Sequence, residues 1–359
     1  MCRILLQGMK KKRLFITTGL ISAVNAMAII DGDDGYDNYL YVAARVISDD
    51  FIRRNREIIL PGYFKEVFYD SDRKKYENDD YLSQFETVYL TAQPNWNFHL
   101  HHGNIYLIEE GISSYCHFPP SAHPSVKGAI LRNYLDHVFY MKPDFPVIRQ
   151  DREKLRGVIK KIAGRHRAAI ERYRMEDQVI MLSQYIYGRI FDKEKVLAFY
   201  QKHIDRLIDL GYRILFKNHP RINEDTFADL ADRYGERFMM LPKEINLPCE
   251  VLAAGLNPLM TAASMSGAGI SLADLYGIPA FGFGARVIGE YPLNDYVNFY
   301  KRFYLNYIPH VSAIYDLKAN TVDRERLLKE RFYAFIGTAR DWRTDPEIIA
   351  AHRRYIGEL

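Results

Sequence analysis

Cysteine is scarce in this sequence. The 359 residues contain Cys2, Cys116 and Cys249, which lie too far apart for a disulfide framework or a cysteine zinc cluster, so a reducing compartment is favoured. Internal repeats, heptad runs and low-complexity tracts are also absent, which excludes collagen-like, coiled-coil and disordered chains. With 48% hydrophobic and 26% charged residues, the chain is of globular type, and its length suggests two domains.

The net charge is only +4, but it is unevenly distributed. Residues 149–174 carry ten Lys or Arg against three acidic residues, a local charge of +7. Such a segment is either the solvated face of a helix or a surface for an anionic partner. We expect no nucleic-acid partner, because the total charge is modest and no recognised nucleic-acid-binding motif is present.

Near the N-terminus, an uncharged run at residues 14–30 follows the basic cluster 10–13 and contains Ala26-Met27-Ala28. These features match the three parts of a signal peptide. The run is short for a membrane span, and polar or turn residues interrupt it at Thr17, Thr18, Gly19, Ser22 and Asn25. We therefore favour a buried strand that turns at Gly19 into a helix.

Short apolar runs alternate with longer connections, which is typical of parallel sheets. The predicted strands of the first half are residues 13–17, 39–44, 66–69, 87–91, 105–108 and 137–141. In the second half, strands are predicted at 179–182, 213–216, 238–241, 258–262 and 280–283, and helices at 193–210, 225–234, 249–254 and 269–276. This alternation predicts two doubly wound α/β domains.

The segment between the two halves has the pattern of an amphipathic basic helix, with Leu155, Ile159 and Ile162 on one face. The predicted domains are an N-terminal domain at 10–150, a basic helical linker at 151–176, a C-terminal domain at 177–310 and helices at 311–359 that pack across the lobes. Because doubly wound domains bind ligands where their strands end, we look for site residues there.

Two carboxylates, Glu109 and Glu110, follow the predicted strand 105–108 and precede Gly111. Adjacent strand residues point in opposite directions, so one carboxylate faces the site while the other holds the loop. A carboxylate at this place can act as a general base, and a solvated turn is the alternative.

The strand at 213–216 runs into Lys217-Asn218-His219-Pro220-Arg221. A histidine between cations suits an anionic ligand, and His219 can donate a proton or hydrogen bond to a phosphate leaving group while Lys217 or Arg221 adds charge. A structural His-Pro turn is the alternative.

A serine-containing loop, Ser264-Met265-Ser266-Gly267, separates the strand at 258–262 from the next helix. Hydroxyls and backbone N–H groups at a helix N-terminus can bind phosphate, and ordinary helix capping is the alternative. Glu250 falls in the first turn of another predicted helix, where it stabilises the helix dipole or accepts hydrogen bonds from ribose hydroxyls.

These features, in this order, resemble the three motifs of bacterial sialyltransferases of the capsular polysialyltransferase and lipooligosaccharide sialyltransferase type: an acidic pair with glycine, a His-Pro and a serine motif. The end of the strand at Leu182-Ser183-Gln184 is similar to that group as well. The resemblance covers about residues 10–310. The Ser-Met-Ser sequence departs from the adjacent serine pair of many members, so the phosphate-binding serine is either Ser264 or Ser266.

The resemblance implies a GT-B fold, two facing Rossmann-like domains with a deep cleft between them. It also implies inverting transfer of sialic acid, or a related nonulosonic acid, from a CMP-activated donor to a hydroxyl of a cell-surface glycan such as lipooligosaccharide or capsular polysaccharide. Glu109 or Glu110 would deprotonate the acceptor, and His219 would stabilise the departing CMP. The residues implied in donor binding are Ser264, Ser266, Gly267, Glu250, Pro220, Lys217, Ser183 and Gln184.

We expect no metal or other cofactor, because a protonatable histidine, hydroxyls and a helix N-terminus can meet the phosphate charge. His99, His101 and His102 lie in a polar loop without an accompanying ligand cluster. Lys160, Lys161 and Arg165 are assigned to a surface for an anionic acceptor or an anionic membrane. The expected location is cytoplasmic, with peripheral association at the inner face of the inner membrane.

Two alternatives stay open. A CMP-Kdo transferase or an enzyme that uses a CDP-linked unit would keep the fold and change the donor. A non-catalytic protein that binds anionic glycans through the basic helix would bind without turnover.

Overall fold

Two separate parallel sheets make up the core of the chain. The computed structural model describes residues 10–43, 47–70, 79–91, 102–111, 114, 125–132, 145–184, 193–219, 227–245, 247–263 and 266–282. The chain divides into two compact units, Met1–Ile162 and Ala163–Leu359. The boundary lies within the segment 151–176 that the sequence analysis assigns to a linker.

The first unit contains a seven-stranded sheet in the order β3-β2-β1-β4-β5-β6-β7, with every adjacent pair parallel. Its strands are β1 (Lys11–Thr17), β2 (Tyr36–Ala43), β3 (Glu66–Asp70), β4 (Thr87–Thr91), β5 (Ile105–Ile108), β6 (Val126–Leu131) and β7 (Val147–Arg149). Its helices are α1 (Leu20–Ile30), α2 (Asp49–Ile58), α3 (Asp79–Leu82) and most of α4 (Arg152–Arg165).

The second unit contains a five-stranded parallel sheet in the order β10-β9-β8-β11-β12. Its strands are β8 (Gln178–Leu182), β9 (Arg213–Lys217), β10 (Phe238–Met240), β11 (Met260–Ala263) and β12 (Ala280–Gly282). The helices are α5 (Arg167–Glu171), α6 (Lys193–Asp209), α7 (Ala228–Tyr234), α8 (Cys249–Leu256) and α9 (Gly267–Tyr276), with a 3-10 turn at Gly235–Arg237.

Both sheets follow the strand order of a Rossmann fold. The first three strands in sequence are added one after another toward one edge of the sheet, and the fourth returns to the other side of the first strand. The central strands read as near-continuous apolar runs because both of their faces are buried; all five residues of β4 and of β8 are buried. The predicted pair of doubly wound α/β domains is therefore confirmed.

The N-terminal run is built into this fold. Residues 11–17 form β1, which pairs with both β2 and β4, and α1 begins at Leu20 after Gly19. The preferred interpretation of this run, a buried strand followed by a helix, is confirmed. Among the described helices, none is long and apolar enough to cross a membrane.

Two details of the sequence analysis need correction. The basic segment forms two helices instead of one, because His166, with ψ of 13°, leaves the α-helical conformation between α4 and α5. The strands β6 and β7 and the helix α2 were not predicted. The predicted strand at 137–141 and the C-terminal helices at 311–359 lie outside the described residues.

The basic segment packs as its pattern predicts. Leu155, Ile159 and Ile162 are fully buried. In the second unit, Ile170 of α5 contacts α8 so closely that a Cβ at Gly255 would lie 2.8 Å from the Ile170 Cγ2 atom.

We therefore expect Gly255→Ala to destabilise the protein by about 1–3 kcal/mol, although alanine is the better helix former. The matched control is Gly157→Ala in α4, where nothing lies within 4 Å of the added Cβ and a gain of up to about 1 kcal/mol is expected. Urea unfolding of both variants measures the difference. Equal stability of the two variants would contradict the close approach of α5 and α8.

Candidate functional site

The two carboxylates after β5 lie in different environments. The Glu109 side chain has no exposed surface, whereas Glu110 is partly exposed. An Nη2 atom of Arg132, itself 3% exposed, lies 3.9 Å from Glu109 Oε1. The two side chains thus differ in burial: Glu109 is an internal, charge-paired carboxylate, and Glu110 is the one that reaches the surface.

Hydrogen bonds from α1 and its neighbours hold this strand end. Asn25 Nδ2 donates to the Glu109 carbonyl oxygen at 2.7 Å, and Gln150 Nε2 donates to the Asn25 carbonyl oxygen at 2.8 Å. The Glu110 N–H donates to Ser114 Oγ at 2.9 Å. The Thr18 hydroxyl lies 3.0 Å from Glu110 Oε1 and donates to it. Both the backbone and the side chain of Glu110 are therefore fixed.

In the second unit, the strand register brings together the residues that follow β8 and β9. Leu182 pairs with both Lys217 and Ala263. Consequently Ser183, which is 3% exposed, lies beside Asn218, and its hydroxyl donates to Asn218 Oδ1 at 2.6 Å.

His219 is attached to the same pair. Its backbone N–H donates to Ser183 Oγ at 2.7 Å and to Asn218 Oδ1 at 3.0 Å. The role of Asn218 was missed by the sequence analysis, although the residue stands inside the Lys217–Pro220 segment that it singled out. Its partner Ser183 lies 35 residues away along the chain, so no local pattern reveals the bond.

A buried aromatic residue supports the next position. The Gln184 N–H donates to the hydroxyl of Tyr200 at 2.8 Å, and Tyr200 is a fully buried core residue of α6. The loop after β8 is therefore tied to the core cluster of the second sheet.

Glu250 and Lys217 are brought near one another around Cys249. Burial raises the pKa of Cys249 to about 12, the charge of Glu250 raises it as well, and the charge of Lys217 acts in the opposite direction. Glu250 lies in the first turn of α8 and is 4% exposed. The thiol of Cys249 stays protonated and unreactive at neutral pH.

The serine loop is described in part. Ser266 is the N-cap of α9, and its Oγ accepts a hydrogen bond from the Ala268 N–H at 3.3 Å. Ser266 and Gly267 are both partly exposed at the helix N-terminus. A Cβ at Gly269 would lie 3.0 Å from Ala280 Cβ, so the glycine allows α9 to approach β12. Ser264 and Pro220 lie outside the described residues.

On α4, the three candidate cations differ. Lys160 and Arg165 are exposed. Lys161 is exposed as well, but its Nζ lies 2.8 Å from Asp31 Oδ1 and 2.9 Å from the Tyr63 hydroxyl, so it belongs to a surface ion pair. The hydrogen bonds from Lys161 and Tyr63 lower the pKa of Asp31, which keeps this pair charged.

His102 has a structural role. Its Nε2 lies 2.8 Å from the Phe85 carbonyl oxygen, and its Nδ1 accepts from the Asn104 N–H at 3.1 Å, so both ring nitrogens are used. His99 and His101 are outside the described residues. Within the described part of the chain, no three His, Cys, Asp or Glu side chains are grouped to hold a metal ion.

The candidate residues form two groups, one in each unit, and each group is called a half-site below. The first unit supplies Glu109 and Glu110, and the second supplies Ser183, Gln184, Lys217, His219, Glu250, Ser266 and Gly267. Each group lies where strands of a parallel sheet end or at a helix N-terminus.

If Glu109 is structural, Glu109→Gln removes the charge that faces buried Arg132. We expect a loss of about 1–3 kcal/mol in the free energy of unfolding. Glu110→Gln keeps an acceptor for Thr18 and is partly exposed, so it should change stability by less than about 0.5 kcal/mol. Urea unfolding of both variants at pH 7 measures the two losses of stability. A larger loss in Glu110→Gln than in Glu109→Gln would contradict the structural role of Glu109.

The sequence matches the model of a known protein family. The family model described as alpha-2,8-polysialyltransferase matches residues 80–284, more than half of the chain. No curated protein matches the sequence.

Among solved structures, UDP-GlcNAc 2-epimerase from Methanocaldococcus jannaschii is 13% identical, with a TM-score of 0.50 over 89% of this chain and 91% of that one. A UDP-glucosyltransferase from Polygonum tinctorium is 9% identical, with a TM-score of 0.47 over 97% of this chain and 94% of that one. At such identities the first likeness concerns the fold alone. With the two Rossmann strand orders, it supports the GT-B fold class.

Proposed function

The chain belongs to the alpha-2,8-polysialyltransferase family, and we propose that it transfers sialic acid, or a related nonulosonic acid, from a CMP-activated donor to a glycan hydroxyl with inversion. The observation that carries this proposal is the acidic pair at the end of β5. One carboxylate is buried against Arg132, and the other is partly exposed and held by hydrogen bonds.

Glu110 is the proposed base. Inversion requires the acceptor hydroxyl to lose its proton as the oxygen attacks the anomeric carbon from the side opposite the leaving CMP. Glu110 is partly exposed and so can meet an acceptor, whereas Glu109 has no surface. Since a positioned base contributes about 10²–10⁴-fold to such a step, removal of the Glu110 charge should abolish most turnover.

The second unit is the proposed donor side. The fixed backbone of His219 keeps its ring at the end of β9, from which it would protonate or stabilise the CMP phosphate as the bond to the sugar breaks. Lys217, Ser183, Gln184 and Pro220 would surround the nucleotide. Ser264 or Ser266, with Gly267, would bind the phosphate at the α9 N-terminus, and Glu250 would accept hydrogen bonds from the ribose.

We propose that the reaction proceeds without a metal or other cofactor. A histidine, a lysine and a helix N-terminus supply positive charge and donors at the place where the phosphate charge develops. The acceptor would be a lipooligosaccharide or capsular glycan at the cytoplasmic side of the membrane, where CMP-sugars are available.

The first experiment measures CMP release from CMP-N-acetylneuraminic acid, without divalent metal, in the presence of galactose-terminated and sialic-acid-terminated acceptors. We expect acceptor-dependent release by the unmodified protein and at least about a hundredfold loss in Glu110→Gln and His219→Ala. His166→Ala is the matched control, because His166 lies between α4 and α5 and is not among the candidate site residues.

Two other outcomes of the CMP-release experiment would change the proposed function. Release from CMP-Kdo or from a CDP-linked donor, with none from CMP-N-acetylneuraminic acid, would keep the transferase and replace the donor. Tight glycan binding without release from any donor would replace the enzyme by a non-catalytic anionic-glycan-binding protein. Full activity of Glu110→Gln would overturn the proposed base.

The exposed cations of α4 and α5 form the proposed surface for an anionic acceptor or an anionic membrane. Lys160 and Arg165 are exposed and are the cations tested here, whereas a change at Lys161 would also break its ion pair with Asp31. Each cation near an anionic surface contributes about 1 kcal/mol, so Lys160→Glu with Arg165→Glu should weaken binding at least about tenfold.

Sedimentation with phosphatidylserine vesicles, and the KM for a sialylated acceptor, distinguish the two partners. Lys202→Glu with Lys243→Glu, also exposed but outside the basic segment, is the matched control. A membrane role predicts loss of vesicle binding alone, and an acceptor role predicts a higher KM alone. Unchanged values for both would make the segment a solvated helix face.

A further inference from the structure

The carboxylate of Glu110 meets the turn between β1 and α1. Its Oε1 accepts a hydrogen bond from the Thr18 hydroxyl at 3.0 Å. The same oxygen would lie 3.0 Å from a Cβ placed on Gly19. Thr18 and Gly19 are partly exposed, as Glu110 is, so these three residues share one place at the surface of the first unit.

The start of α1 has no cap of its own. Gly19 is the N-cap residue and offers no side chain, and no acidic residue occurs in the first turn. The amino end of an 11-residue helix carries a partial positive charge. The carboxylate of Glu110, which is 92 residues from Thr18 along the chain, lies at this end and supplies the missing negative charge.

At position 19 the constraint is on space and not on backbone conformation. Its φ of −154° and ψ of 169° are extended values that alanine also adopts. A methyl group at 3.0 Å from Oε1 is closer than ordinary contact, so it would displace the carboxylate or break its bond to Thr18.

We propose that Thr18 and Gly19 are positioning residues for the general base: the Thr18 hydroxyl orients the Glu110 carboxylate, and the bare Cα of Gly19 lets it approach the amino end of α1. This inference rests on the proposed function, since it assigns Glu110 to the acceptor proton. A base held in one orientation is ready for the transfer, whereas a loose carboxylate must be ordered in the transition state.

The test compares kcat and KM of Thr18→Val, Thr18→Ser and Gly19→Ala in the CMP-release assay. Thr18→Val removes the hydrogen bond to a charged group at nearly constant volume, and we expect kcat to fall about tenfold or more with both KM values unchanged. Thr18→Ser keeps the hydroxyl and should retain most of kcat. Gly19→Ala should lower kcat through the displaced carboxylate.

Thr91→Val is the matched control. Thr91 is fully buried in the same sheet, and its hydroxyl donates to the Ile16 carbonyl oxygen at 3.1 Å. We expect this variant to lose stability and keep kcat. If Thr18→Val only lowers the melting temperature, as Thr91→Val does, and leaves kcat unchanged, the inference is overturned.

The outcome is separable from that of the proposed function. No turnover by the unmodified protein, or full turnover by Glu110→Gln, would remove the proposed base itself. Turnover that Glu110→Gln abolishes but Thr18→Val and Gly19→Ala both leave intact would remove only the positioning role. If Thr18→Val does not fold, the kcat of Gly19→Ala tests the positioning role in its place.

Discussion

The in-register parallel pairing of the strands is the constraint on which the candidate site depends. In the second sheet, Leu182 is aligned with Lys217 on one side and Ala263 on the other. Because both faces of the central strands are buried, a slip by one residue would replace one end of the apolar run in the sheet by the polar residue that flanks it. The apolar faces of the central strands therefore fix which polar residues emerge side by side.

The same constraint explains why the two carboxylates of the acidic pair lie in different environments. Ile108 pairs with Ile130, so Glu109 extends the strand by one position and its N–H donates to the Ile130 carbonyl oxygen at 3.1 Å. Its side chain then points inward, where a lone carboxylate would be costly and Arg132 supplies the opposite charge. The Glu110 side chain points the opposite way and faces the turn between β1 and α1.

Strand positions and strand ends could be predicted because buried parallel strands carry a local signal, a short apolar run bounded by turns. Glu109, Ser183 and His219 all follow such runs and lie at strand ends, as predicted. The strand β7 gave no such signal, since it has three residues and two of them are exposed. The break at His166 was also hidden, because the basic and apolar pattern continues through it.

The contacts that fix the site could not be predicted, because their partners are far apart along the chain. Thr18 and Asn25 lie 92 and 84 residues from the acidic pair. In the sequence both looked only like interruptions of an apolar run. An apolar helix with one fully buried asparagine nevertheless requires a partner for that amide, and the carbonyl of Glu109 is that partner.

The charges of the second half-site favour a ligand that brings its own negative charge. Glu250 and Lys217 both act on the neutral thiol of Cys249, so they oppose one another at that point. The other groups of this half-site are His219, which follows β9, and the amino end of α9, which has no acidic residue in its first turn. On the proposed function, the CMP phosphate would supply the missing anion. The first half-site has the opposite arrangement, since the amino end of α1 already faces a carboxylate of the chain itself. One helix terminus is therefore occupied by the proposed base, while the other is left for the donor.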